Sequence, residues 1–252
     1  MFNLFKPRPR YWITPGGKYW ELFADMAQQP HLLIAGATGS GKSVVINGII
    51  GTIIRRCSPS KAQFILIDPK RVELKKYQNL PHVIRYADTQ QTMLDALEYA
   101  KQITDNRFVK MQRNGVNDYN GSDVYVIIDE LAALMTMQKR EVLPLLQYLG
   151  IIARAAHVHV IAATQTVKAT VLPTTLTCNF DARVALRTAT AQQSRMIIDV
   201  SGCELLPSPV ITHSAQCYFR QGADLVKYNV PMLSKDELDS LCSWWTGGDC
   251  VA

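Results

Sequence analysis

A glycine-rich segment between an apolar run and a helix-like stretch constrains the fold more than any other feature of this chain. Its eight residues match G-x-x-x-x-G-K-[ST] at every position and are Gly36, Ala37, Thr38, Gly39, Ser40, Gly41, Lys42 and Ser43. The glycines let the backbone curl so that its N–H groups face an anion, and the following helix points its positive dipole end at the same place. The Lys42 ammonium then reaches the β and γ phosphates, and the Ser43 hydroxyl binds Mg²⁺. The segment therefore predicts a loop that binds ATP and Mg²⁺.

Apolar runs that end in polar residues recur along the chain and alternate with helix-like stretches. This pattern predicts an α/β fold with a mostly parallel central sheet flanked by helices. Strands are expected at 31–35, 64–67, 124–128, 158–163 and 182–186, and a hairpin at 215–231 that turns at 221–224. Helices are expected at 42–56, 89–113, 131–154 with a break near Pro144, and 191–200.

Two of these strands end in residues that suit phosphate chemistry. The third predicted strand delivers Asp129 and Glu130 to the edge of the sheet where ligands bind in open α/β folds. Asp129 is expected to hold Mg²⁺, and Glu130 is expected to act as general base on the attacking water. Gln165 follows the next strand and is expected to sense the γ-phosphate. An acid pair at a helix start and a polar turn residue are the alternative interpretations.

The charged residues outside this edge leave several alternatives open. Four arginines are candidates for a finger that a neighbouring subunit donates, and their spacing does not choose among Arg154, Arg183, Arg187 and Arg195. The net charge of +6 fits a polyanion such as DNA, an anionic membrane or an ordinary basic surface. Candidate DNA contacts are a basic stretch, the polar loop after it and a segment after Gln165: Lys101, Arg107, Lys110, Arg113, Asn114, Asn117 and Lys168.

The composition excludes several other classes of protein. No run approaches the ~18 apolar residues that span a bilayer, so no transmembrane segment is expected. The start of the chain lacks the apolar core of a signal peptide, and its Lys6, Arg8 and Arg10 form a short basic arm. Six cysteines without a CxxC pair argue against a zinc site. A cytoplasmic protein is therefore expected, with a basic arm at 1–17, one main domain at 18–232 and a tail at 233–252.

At this point the chain resembles the motor domain of the FtsK/SpoIIIE family of DNA translocases. The matching strings are PHLLIAGATGSGKS at 30–43, IDPK at 67–70, EL at 73–74, RNGV at 113–116, IDELA at 128–132, ARAA at 153–156, ATQ at 163–165, SRMIID at 194–199 and GCE at 202–204. The resemblance covers about residues 18–232, and these internal strings are more specific than the P-loop alone. Thr166-Val167 stands where the family usually has Arg-Pro, so the second DNA segment is expected to bind differently.

The resemblance implies a RecA-like P-loop NTPase that assembles as a homo-hexameric ring and moves along double-stranded DNA. By similarity, the loop at 115–120 and the segment after Gln165 would line the channel, and Arg154 and Arg195 become the preferred finger candidates. The membrane segments, long linker and winged-helix domain of the cell-division members are not expected. A motor of a plasmid, conjugative element or phage fits this compact form better.

Two other functions remain open at this point. Related motors move polypeptides, so a protein-secretion ATPase is an alternative within the enzymes. A nucleotide-gated assembly protein with little turnover is an alternative outside them. The Trp244-Trp245 pair in the tail suits either a docking patch for a partner protein or packing against the motor domain.

Overall fold

The computed structural model describes residues 30–168, 171–209 and 214–246, and in these ranges an eight-stranded sheet forms the centre of the molecule. In chain order the strands are β1 Leu32–Ala35, β2 Ala62–Ile67, β3 Val83–Ala87, β4 Asp123–Ile128, β5 Val158–Thr164, β6 Ala182–Ala185, β7 Ser214–Gln221 and β8 Asp224–Pro231. Their order across the sheet is β3-β2-β4-β5-β1-β6-β7-β8. The first six are parallel, and the predicted hairpin extends the sheet as two antiparallel strands.

Helices cover both faces of this sheet because alternate strand residues point in opposite directions. They are α1 Lys42–Arg56, α2 Gln90–Asn114, α3 Leu131–Ile152, α4 Thr174–Thr177, α5 Ala191–Ile198 and α6 Lys235–Thr246. Leu32 and Ile34 of β1 join the core under α1, and Leu33 joins the core under α2 and α3. The predicted α/β class with a mostly parallel sheet is confirmed.

The break in α3 does not lie where the sequence predicts it. Pro144 sits inside the helix, whereas Gln138 leaves helical geometry with φ −145° and ψ 39°. The Gln138 amide donates to the Gln90 carbonyl at 2.7 Å, and the Gln90 amide donates to the Met137 carbonyl at 3.3 Å. The bend is therefore set by contact with the start of α2, and the prediction of a break at the proline is wrong.

The predicted tail contributes a helix to the domain surface. Within α6, Trp245 Nε1 donates to the Ile54 carbonyl of α1 at 2.9 Å, and the Trp245 ring meets His82 edge-on. Cys242 is buried in the same interface, whereas Trp244 is 71% exposed. The predicted basic arm with Lys6, Arg8 and Arg10 lies outside the described residues.

Among the described residues, no helix combines the length and the apolar character that crossing a membrane requires.

Candidate functional site

The glycine-rich loop leaves β1 at the carboxyl edge of the sheet and is held there by its backbone. The Gly36 N–H donates to the Thr164 carbonyl of β5 at 3.3 Å, and the Ala37 N–H donates to the Arg187 carbonyl at 2.8 Å. No side chain caps the N-terminus of α1. The first N–H groups of that helix therefore remain for a ligand, and an anion is the ligand that they favour.

Two glycines are needed where the loop packs against its neighbours. A Cβ atom at Gly36 would lie 2.6 Å from Ser40 Oγ and 2.7 Å from Leu186 Cβ. Gly41 has φ 101°, and a Cβ atom there would lie 2.5 Å from Ala215 Cβ of β7. Both positions exclude a side chain, so the chain approaches itself closely enough to fix the shape of the loop.

Lys42 is folded onto the loop that it follows. Its Nζ donates to the Gly36 carbonyl at 2.8 Å and to the Ala37 carbonyl at 2.9 Å. Burial lowers the pKa of Lys42 to about 8, although the carboxylate of Glu130 acts in the opposite direction. The ammonium is thus placed at the loop, and no carboxylate of the described residues accepts a hydrogen bond from it, which leaves it able to bind a phosphate.

Asp129 follows β4 and faces the same cleft as the loop. The cleft has a volume of about 430 Å³, and Lys42, Ser43 and Asp129 all line it. Burial, together with the nearby charges of Asp68 and Glu73, raises the pKa of Asp129 to about 6. Asp68 Oδ1 is buried without a hydrogen-bond partner.

This donor set fits a hard cation. Carboxylate oxygens crowded together cost free energy that a cation would offset, and Mg²⁺ prefers such oxygens together with hydroxyl and phosphate oxygens. The residues that would hold it are the predicted pair, Ser43 and Asp129. On binding, Mg²⁺ would neutralise charge on the phosphate oxygens of a nucleotide.

Glu130 lies behind this cleft and has partners on both carboxylate oxygens. Its Oε1 accepts from Thr164 Oγ1 at 3.1 Å and from the Gln165 N–H at 2.9 Å. Its Oε2 accepts from Lys70 Nζ at 2.9 Å. The sequence alone assigned no role to Lys70. The Asp-Pro-Lys string that follows β2 is nevertheless a signal of the same kind as the acid pair that follows β4, because both place polar side chains at the carboxyl edge of the sheet.

Gln165 connects the predicted base to the loop. Its side-chain Oε1 accepts from Thr38 Oγ1 at 2.8 Å, and both residues line the cleft. The position is the one that a γ-phosphate sensor requires, one strand away from the acids and in contact with the loop. The structure therefore brings Gln165, Asp129 and Glu130 together with the glycine-rich loop.

The two preferred arginines lie away from this cleft. Arg154 precedes β5 at the amino edge of the sheet, and the seven residues of β5 span about 23 Å to the opposite edge. Arg195 of α5 lines a separate cavity of about 320 Å³. Arg183 is excluded as a finger because its guanidinium donates to the carbonyls of Phe180, Ile197 and Thr177.

The candidate DNA contacts fall at opposite edges of the sheet. At the amino edge, four exposed residues lie at the end of α2 and in the loop after it: Lys110, Arg113, Asn114 and Asn117. Lys168 is exposed as well, but it follows β5 at the carboxyl edge. The structure therefore groups the first four and separates Lys168 from them.

One member of the predicted basic stretch is not available to a ligand. Arg107 is buried, and its Nη1 donates to the carbonyls of Ala156 at 2.8 Å and His157 at 3.1 Å. Its guanidinium also stacks on the Tyr119 ring at 4.3 Å. Lys101 forms an ion pair with Asp105 at 2.7 Å. The prediction that Arg107 belongs to a surface basic stripe is wrong because this side chain fastens the polar loop to the start of β5.

A phosphate-binding loop at the carboxyl edge of a parallel sheet, with an acid pair ending a strand nearby, defines a P-loop ATPase motor domain of the RecA-like type. The chain belongs to the FtsK/SpoIIIE family, whose model matches residues 19–206. It is 36% identical over 202 residues to the DNA translocase FtsK of Lactococcus lactis subsp. cremoris and, over the same length, to that of Streptococcus pneumoniae. These alignments cover 72% of this chain but only 27% and 26% of the relatives. The chain thus spans about a quarter of their length.

Solved structures share the fold at lower identity. The monomer form of the pCW3 conjugation coupling protein TcpA with ATPgS superposes with a TM-score of 0.78 at 19% identity, over 95% of this chain and 71% of that one. The cytoplasmic domain of the type VII secretion ATPase EccC from Thermomonospora curvata gives 0.73 at 22% identity, over 92% and 30%. Both likenesses concern the fold alone.

Proposed function

We propose that this chain is the motor domain of an ATP-driven translocase of double-stranded DNA. The observation that carries the proposal is a complete phosphate-binding loop with Asp129 and Glu130 at one cleft in a member of the FtsK/SpoIIIE family. The 36% identical relatives are named DNA translocases, which supports DNA as the polymer that is moved.

In this proposal each residue of the cleft has one task in ATP hydrolysis. Lys42 and the N–H groups of the loop bind the phosphates, and Ser43 and Asp129 hold the metal. Glu130 orients the attacking water and accepts its proton, and Gln165 reports whether a γ-phosphate is present. Movement along DNA would follow from the change in these contacts between the ATP and ADP states.

The ring and its location are part of the same proposal. Arg154 is far from the cleft of its own subunit, so it can serve only the cleft of a neighbour, and Arg195 is the second candidate. A homo-hexamer in the cytoplasm would supply such neighbours and would enclose DNA. Contacts by Lys110, Arg113, Asn114, Asn117 and Lys168 would then be to phosphates, which gives little dependence on base sequence.

The host process is proposed from the fold shared with the pCW3 conjugation coupling protein TcpA. A plasmid, conjugative element or phage is the source of DNA that we favour. The exposed Trp244 of α6 is proposed as a contact for a partner protein.

The test is ATP turnover with and without long duplex DNA, at low and at raised salt. We expect duplex DNA to accelerate hydrolysis and raised salt to suppress the acceleration, because phosphate contacts release counterions. A double variant with Lys110→Ala and Arg113→Ala should lose most of the acceleration, whereas Lys75→Ala, an exposed lysine after β2, should not.

Each contrary outcome points to a different function. If duplex DNA does not change ATP turnover at low salt, the proposal is contradicted and a polypeptide substrate is favoured. Binding of ATP with almost no turnover under every condition favours a nucleotide-gated assembly protein.

A further inference from the structure

The proposed general base is occupied in this structure. Glu130 is only 4% exposed, and Lys70 Nζ lies 2.9 Å from its Oε2. Thr164 and the Gln165 N–H hold the other oxygen. Three donors take three of about four acceptor sites of this carboxylate, and the Lys70 ammonium stabilises its negative charge. Glu130 is therefore a weaker base while Lys70 stays in place.

Of these donors, Lys70 is the one that can leave. The Gln165 N–H belongs to the backbone, and Thr164 is fully buried in β5. The Lys70 side chain is 40% exposed and lines the same cleft as Lys42 and Ser43. A flexible lysine at the wall of a phosphate cleft can exchange one anion for another at little steric cost.

The charges in the cleft favour such an exchange. Lys70 is close enough to Lys42 that its positive charge lowers the pKa of Lys42. Two ammonium groups therefore face one cleft, and among the described residues Lys70 is paired with a carboxylate whereas Lys42 is held by carbonyls. A bound triphosphate places several negative charges where both can reach them, whereas a diphosphate lacks the terminal group.

We propose that Lys70 is a positioning residue that responds to the γ-phosphate. Without a triphosphate, its ammonium holds Glu130 Oε2. When a triphosphate binds, the ammonium moves to the terminal phosphate and releases Glu130 Oε2 for the attacking water. No bond or proton changes place in this step, because one ammonium exchanges one anionic acceptor for another. The inference rests on the proposed ATPase function and deepens it.

The test measures binding and does not require turnover or DNA. Affinities of the full chain for ATPγS and for ADP, each with Mg²⁺, are measured by calorimetry for four proteins: wild type, Lys70→Met, Glu130→Gln and the double variant. Lys70→Met should weaken the binding of ATPγS by about ten- to a hundredfold, because it removes a charge-assisted contact. The affinity for ADP should be unchanged. The unchanged ADP affinity also shows that the variant is folded.

The double variant separates the exchange from simple loss of charge. Glu130→Gln should bind ATPγS more tightly than wild type, because the neutral amide releases Lys70. In the Lys70→Met background, Glu130→Gln should raise the affinity for ATPγS by less, because only the loss of the carboxylate charge then contributes. Lys75→Met is the matched control and should change neither affinity.

Two results would overturn the inference. One is that Lys70→Met weakens the binding of ATPγS and of ADP equally. The other is that Glu130→Gln raises the affinity for ATPγS equally in the wild-type and Lys70→Met backgrounds. Neither depends on whether DNA stimulates turnover. If duplex DNA did not accelerate ATP hydrolysis, the proposed DNA motor would be contradicted, but the expected differences in ATPγS affinity would still hold.

Discussion

At the residue scale, the cleft owes its chemistry to charges that are partly buried and incompletely paired. Asp129 keeps a raised pKa because it is buried near Asp68 and Glu73, and Lys42 keeps a lowered pKa because it is buried on backbone carbonyls. Such groups reduce the stability of the free protein, and ligands of opposite charge offset that cost. A bound metal and polyphosphate would therefore complete the cleft.

The first prediction separates binding from chemistry. Lys42→Ala should weaken ATP binding and slow turnover together, because the ammonium contacts phosphate in the ground state and in the transition state. Glu130→Gln should retain or tighten binding and slow turnover by roughly 10²–10⁴, about 3–5 kcal/mol of barrier. Calorimetry and steady-state hydrolysis measure both quantities. Near wild-type turnover of Glu130→Gln would refute the role of this residue as base.

The second prediction concerns pH. Asp129 has a pKa of about 6 and must be ionised to hold metal, so the affinity for a nucleotide with Mg²⁺ should rise as pH increases through about 6. Lys42 has a pKa of about 8, and the affinity should fall as pH increases through about 8, where the ammonium is lost.

Two variants act as controls for this pH profile. Lys42→Arg keeps its charge above pH 8 and should remove the fall. Asp129→Asn removes the titrating carboxylate, so any rise in affinity through about pH 6 that remains in this variant comes from the phosphates of the ligand. A fall that persists unchanged in Lys42→Arg would assign it to another group.

At the scale of elements, the parts of the site that strands deliver could be predicted from the sequence. Buried parallel strands read as apolar runs, so the residues that end them are identified by position alone, as Asp129, Glu130 and Gln165 were. Features that depend on contacts between elements could not be predicted. Arg85 interrupts the apolar run of the half-buried edge strand β3, and the break in α3 at Gln138 depends on α2.

Charged residues illustrate the same limit. Helical spacing places Arg107 on the same face of α2 as the buried Ala100 and Met111, whereas its charge favours an exposed position. The sequence cannot reveal that two carbonyls before β5 lie within reach of its guanidinium. The pairing of Lys70 with Glu130 joins residues 60 positions apart. Both interactions follow from the packing of the sheet, which no local pattern specifies.

The third prediction tests this structural role of Arg107. Arg107→Met should lower the free energy of unfolding by about 3 kcal/mol, because it leaves two carbonyls without their charged donor. Urea denaturation measures the change. Lys110→Met, three residues along on the exposed surface of α2, should cost less than about 0.5 kcal/mol. Equal stability of the two variants would show that the bonds of Arg107 contribute nothing.

At the scale of the whole molecule, the two edges of the sheet carry different parts of the proposed function. The carboxyl edge holds the nucleotide cleft and Lys168, and the amino edge holds Arg154 and the basic end of α2. The length of β5, about 23 Å, separates Arg154 from the edge that holds the cleft of its own subunit, so Arg154 is placed to contact the cleft of another subunit. Hydrolysis by this chain is therefore expected to require assembly, and light scattering with ATPγS should detect a ring-sized particle.

The last prediction tests whether Arg154 acts on a neighbouring subunit. Arg154→Ala and Lys42→Ala should each abolish turnover alone, the first by removing the donated charge and the second by removing the phosphate ligand. When the two are mixed before assembly, an intact cleft of the Arg154→Ala subunit can meet an intact Arg154 of the Lys42→Ala subunit. Random association in a ring makes about a quarter of the interfaces complete, so turnover should recover towards that fraction.

The same mixture made with Arg195→Ala decides between the two preferred arginines. Recovery with Arg154→Ala, and near wild-type turnover of Arg195→Ala by itself, would assign the finger to Arg154. Recovery only with Arg195→Ala would reverse the assignment. If neither mixture recovers while both single variants are inactive and assembled, neither arginine acts on the cleft of a neighbouring subunit. Such a result would contradict the shared-site mechanism itself.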